Sequence, residues 1–161
     1  MRRADREIKD LSEIKRIIGV AKIVHLGLVD GGRPYVVPLH YGFNLSEEAL
    51  TLYMHGAKEG RKLDAIRANG AAFVELECDV DLVSGGDVPC RYGSYYASVM
   101  GEGEAIVVSD EREKIRGIEL LMRNQTQRDF EVTPAMASAV TVIKVVVPMD
   151  SLTAKGRLMP R

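Results

Sequence analysis

Leu50-Thr51-Leu52-Tyr53-Met54-His55-Gly56-Ala57-Lys58-Glu59-Gly60-Arg61-Lys62-Leu63-Asp64-Ala65-Ile66 reads as a short apolar strand, a Gly-bearing turn and a helix that opens on Lys58, Arg61 and Lys62. The helix macrodipole places partial positive charge at that end, so cations there are unfavourable on their own. An anion reverses the argument, because it accepts from the free backbone N–H groups and pairs with the side chains. Positions 58, 61 and 62 have the i, i+3, i+4 spacing of one helical face. A phosphate is the natural ligand for such a face. The alternative is a solvated basic face paired with Glu59 and Asp64. A nucleotide-triphosphate loop is excluded: three residues rather than four separate Gly56 from Gly60, and no Lys-Ser or Lys-Thr follows.

Outward from this stretch, the alternation of β-strands dominates. Asp10 to Val20 is expected as a helix, capped by Asp10 and Glu13 and striped by Leu11, Ile14, Ile17 and Ile18. Lys22 to Val29 and Tyr35 to Phe43 flank Asp30-Gly31-Gly32-Arg33, a hairpin turn. Pro38 cannot donate to a ladder and marks an edge or a bulge. Leu50 to His55, Ala71 to Glu77, Ser94 to Val108 and Ala139 to Val147 supply further strands. Gly101 and Gly103 are expected to bend the long one through bulges. Asp79 to Gly93 reads as a loop, Lys58 to Arg67 as the basic helix, and Ser109 and Asp110 begin another through about Arg123. Repeated hairpins, few helices and one long strand predict a mainly β, α+β fold: a small antiparallel barrel with attached helices. No G-x-G-x-x-G turn follows an early strand, which argues against a Rossmann fold.

The 161 residues are expected to form a single domain, 1–161, with 46% hydrophobic and 28% charged residues. A net charge of −1 excludes a general nucleic-acid binder. No run is long and apolar enough for a signal peptide or a membrane span, so a cytoplasmic protein with no membrane partner is expected. Cys78 and Cys90 lack metal or redox spacing and read as reduced thiols. His25, His40 and His55 fall on three strands, but no carboxylate or Cys stands beside them at ligand spacing, so no metal site is expected.

Met1-Arg2-Arg3, Tyr35-Val36-Val37-Pro38-Leu39-His40-Tyr41-Gly42-Phe43 and Leu52 to Lys62 together resemble the pyridoxamine 5′-phosphate oxidase-related flavoproteins, more narrowly their 5-nitroimidazole reductase (Nim) branch. Tyr95 to Ala105 is similar to the family's long strand, and Leu152-Thr153-Ala154-Lys155-Gly156 to its Met-Thr-Gly-Lys element. The resemblance implies a split β-barrel of Greek-key type and a homodimer with FMN at the subunit interface. It implies that Lys58, Arg61 and Lys62 clamp the FMN phosphate and that Val37-Pro38-Leu39-His40-Tyr41 runs beside the isoalloxazine. It places His55 near the flavin as the candidate catalytic group, and Tyr95 and Ser98 as contributions from the other chain. The implied activity is FMN-dependent reduction of a small-molecule acceptor such as a nitroaromatic, tied to nitroimidazole resistance. A flavin-binding or sensing protein without efficient turnover, or a haem-binding split barrel, is the alternative. The further arginines of the pyridoxamine phosphate oxidases are missing, and Gly56 stands where many Nim-like proteins have Ser. The resemblance therefore does not extend to pyridoxamine phosphate oxidation.

Overall fold

The computed structural model describes residues 3–159, so Met1 and Arg2 of the opening motif lie outside the described residues. The elements are α1 (Leu11–Val20), β1 (Ile23–Asp30), β2 (Arg33–His40), β3 (Gly42–Leu45), β4 (Ala49–Gly56), α2 (Arg61–Ala68), β5 (Ala71–Val83), β6 (Gly93–Val107), α3 (Glu111–Thr126), α4 (Pro134–Ala139), β7 (Thr141–Pro148) and β8 (Thr153–Arg157). The strands pair antiparallel in the order β2-β1-β5-β6-β7-β4-β3, and β8 adds to β6. This is the predicted mainly β barrel with attached helices. None of the described helices is long and apolar enough to cross a membrane.

The core follows from period-2 patterning. Leu50, Leu52 and Met54 of β4 point inward with no exposed surface, beside Val24, Leu26, Val74, Leu76, Val145 and Val147. The alternate β4 face carries Tyr53, which joins Val108 and Val142 in a second cluster beneath α3. Asp30–Arg33 makes the expected hairpin, with Gly31 and Gly32 at φ +55° and +79°.

Several expectations change. The strand predicted through Phe43 breaks at Tyr41, whose hydroxyl lies 2.6 Å from the Ile18 carbonyl and 2.9 Å from that of Ala21. Gly42 then lets α3 approach so closely that a Cβ would collide with the backbone of Leu120 and Leu121. Gly101 and Gly103 are not bulges, because β5–β6 pairing runs through them without a shift. They sit where β6 passes from β8 to β7, and a Cβ on Gly103 would collide with the Val146 carbonyl. The irregularity lies instead in β5, between Cys78 and Asp81. There Asp79 takes φ +56° and Arg16 holds its carboxylate at 2.6 Å. Residues 79–83 of the expected loop thus continue the β5–β6 hairpin, and 84–92 form the connection between the two strands. Glu13 directs its carboxylate to Arg16 at 2.9 Å, while Asp10 caps α1 through Ser12 N–H.

Candidate functional site

The helix after β4 begins later than its charge spacing predicts. Gly60, at φ +131°, is the N-cap, and α2 starts at Arg61. Lys58 lies in the preceding exposed loop, so Lys58, Arg61 and Lys62 do not form one helical face. The cause is local: a left-handed glycine cannot sit inside the first helical turn.

The N-terminus of α2 is nevertheless open. The N–H groups of Leu63 and Asp64 both donate to the Gly60 carbonyl, at 2.9 and 3.2 Å. Those of Arg61 and Lys62 have no acceptor among the described residues, and no side chain caps the helix. Lys62 is half-buried and folds back over the end of β4. A Cβ built on Gly56 would lie 2.9 Å from its Cε and 3.0 Å from its Nζ. Among the described residues no carboxylate pairs with Lys62. Glycine at 56 therefore clears space for the Lys62 ammonium group at the end of β4. One cation and two N–H groups at a helix start, where the helix field is positive, are the donor set of a phosphate monoester site.

Arg61 is already engaged. Its Nε donates to Asp30 Oδ2 at 2.7 Å, and its guanidinium lies 4.3 Å from the Tyr35 ring centroid. Sequence reasoning missed both partners; the signal was their place on either side of the Asp30–Arg33 turn. The alternation of β2 directs Tyr35, Val37 and Leu39 toward the core and leaves Val36, Pro38 and His40 exposed. His40, at the opposite end of β2 from Tyr35, lies 3.2 Å from the Lys22 carbonyl and 3.1 Å from Gln125 Oε1. Tyr41 is fully buried, and its carbonyl accepts from Asn124 Nδ2 and Gln125 Nε2. The Tyr41 side chain and carbonyl are thus committed to the fold and are not presented to a ligand.

His55 is exposed on the outer face of β4, one residue before Gly56. It lines a cleft of about 280 Å³ with Ile118 and Met122 of α3, Phe130, Val132 and Met136. The wall from α4 was not expected, although Thr133 followed by Pro134 is a capped helix start. Tyr95 and Ser98 lie on β6. Arg157 stacks 5.2 Å from the Tyr95 ring, and Ser98 is buried between Glu77 and Lys155 in register. No hydrogen bond or ion pair among the described residues links either one to α2. The three histidines are not assembled either: each has its own neighbours, and His25 meets Glu75.

Residues 10–157 match the family model described as pyridoxamine 5′-phosphate oxidase. A provisionally assigned 5-nitroimidazole antibiotic resistance protein from Bacteroides thetaiotaomicron is similar at 30% identity and TM-score 0.76, over 93% of this chain and 86% of that one. The flavocytochrome Anf3 from Azotobacter vinelandii shares the fold at 21% identity and TM-score 0.76, over 99% of this chain and 73% of that one. So does an FAD and heme binding protein from Mycobacterium smegmatis, at 16% identity and TM-score 0.77, over 97% and 76%. No curated protein sequence matches the chain.

Proposed function

The chain belongs to the pyridoxamine 5′-phosphate oxidase family, and on that premise we propose that it is an FMN-dependent oxidoreductase. Its acceptor is a small molecule such as a nitroaromatic, and it works as a homodimer with FMN at the subunit interface. The observation that carries this reading is Lys62 folded over Gly56 at the uncapped start of α2. Flavin supplies the redox chemistry when bound. The Lys62 ammonium and the N–H groups of Arg61 and Lys62 hold the phosphate. Arg61, fixed by Asp30 and Tyr35, adds positive field without leaving its own partners. Backbone groups from Val37 to Leu39 on the edge strand β2 would hold the polar edge of the ring, and Tyr95, or the β6 backbone around the buried Ser98, would be contributed by the partner subunit. His55, exposed and next to Gly56, donates a proton to the acceptor as it is reduced, a task suited to an imidazole. The apolar cleft beside it favours an uncharged, flat acceptor over a phosphorylated one.

One experiment tests the reading. Acid-released cofactor is identified by chromatography, and the reduced protein and its His55→Ala variant are then reoxidised by a nitroaromatic in stopped flow across pH. The expected result is one FMN per chain. Wild-type reoxidation slows as pH rises, and the variant loses that dependence. Absence of flavin, or identical profiles in the two proteins, contradicts the cofactor or the His55 assignment respectively.

A further inference from the structure

Away from the flavin site, the outward face of the sheet carries a second group of donors. His25 of β1 stands directly opposite Glu75 of β5, and Glu77 follows two residues on along the same side of β5. In sequence these positions are 50 residues apart, which is why ligand spacing did not reveal them. The antiparallel register brings them together: His25 Nδ1 is 3.1 Å from Glu75 Oε2. One ligand atom from each of the three lies within 4.8 Å of the others.

The carboxylates themselves point to a cation. Glu75 and Glu77 each bring a carboxylate oxygen within 4.8 Å of the other and of the His25 ring. Two carboxylates this close repel unless a proton or a cation lies between them. No lysine or arginine among the described residues pairs with either one, and the ion-pair partner of Glu75 is His25. We propose that His25, Glu75 and Glu77 form a binding site for a first-row divalent cation of the Mn²⁺-to-Zn²⁺ class.

The donor set selects within the divalent metals. An imidazole nitrogen suits Mn²⁺, Fe²⁺, Co²⁺ or Zn²⁺, whereas Mg²⁺ and Ca²⁺ take oxygen ligands. Bonds of about 2.1 Å at right angles give a ligand–ligand edge of about 3 Å, which the His25–Glu75 pair already has. Three protein ligands leave further coordination positions to water. His25 and Glu75 face each other at the end of the β1–β5 ladder and Glu77 follows on β5, so folding brings the three side chains together before any metal arrives. The inference does not depend on the flavin assignment.

The test is calorimetric titration of Zn²⁺ alone into the full chain after chelator treatment and dialysis. The comparison proteins are Glu75→Gln, His25→Ala and Lys62→Ala, with circular dichroism checking each fold. The wild type and Lys62→Ala should each bind one Zn²⁺ per chain. Glu75→Gln and His25→Ala should weaken that binding by about tenfold or more. A wild type that takes up no Zn²⁺ overturns the proposal. So does a folded Glu75→Gln that binds Zn²⁺ as tightly as wild type, and Glu75→Gln alone decides the matter should His25→Ala fail to fold.

Discussion

The starts of α2 and α3 solve the same problem in opposite ways. At α3, Asp110 Oδ1 accepts from Glu113 N–H at 2.7 Å. The Glu113 carboxylate in turn takes the Tyr53 hydroxyl at 3.0 Å and Lys144 Nζ at 2.7 Å. The Asp110 and Glu113 carboxylates are both answered from within the chain, and acidic groups sit where the helix field is positive. At α2 a glycine replaces the capping side chain, two N–H groups have no acceptor among the described residues, and Lys62 lies over Gly56 without a counter-charge there. A closed helix start contributes to stability; an open, basic one implies an anion that the chain does not carry. On the proposed reading, that difference, more than the number of basic residues, puts the phosphate at α2.

The contrast can be broken from the α3 side. Glu113→Ala should have the largest effect on stability. It strands the half-buried Lys144 ammonium and the Tyr53 hydroxyl, a loss of about 2 kcal/mol in denaturant unfolding. Asp110→Ala removes one cap and should lower stability by about 1 kcal/mol while flavin affinity stays at the wild-type value. Tyr53 gives a smaller, pH-dependent effect. Burial, and secondarily its hydrogen bond to Glu113, raise the phenol from 10.0 to about 12. The unfolded chain therefore releases this proton earlier than the folded one, and the contribution is lost as pH climbs from 10.0 toward about 12. Chemical denaturation of wild type and Tyr53→Phe across that range should show a shallower decline in the variant.

What the sequence revealed was local. The strands β1, β4 and β7, the Asp30–Arg33 turn and the Asp10 cap depend on neighbours in the chain, and each appears where expected. What it concealed depends on distant contacts. The break at Tyr41 is set by the carbonyls at the end of α1 and by α3 packing on Gly42. The continuation of β5 to Val83 accompanies the Arg16–Asp79 pair. At the candidate site, the Gly56–Lys62 pairing was only half legible: the charge and the glycine were visible, but not that Lys62 folds back. Lys58 was misplaced because its spacing was read without the φ +131° conformation of Gly60. Asp30 and Tyr35 escaped notice because they reach Arg61 only after the hairpin has folded.

The central claim is that α2 holds the flavin by its phosphate, and comparing the affinities of FMN and riboflavin for wild type and Lys62→Ala tests it most directly. Riboflavin lacks the phosphate and so reports everything else in the pocket. Wild type should prefer FMN strongly, and Lys62→Ala should weaken FMN by about tenfold to a hundredfold while leaving riboflavin unchanged, the range expected for one charge-assisted hydrogen bond of roughly 1.5–3 kcal/mol. Equal affinity of wild type for the two flavins, or a variant that keeps the full preference for FMN, would contradict it.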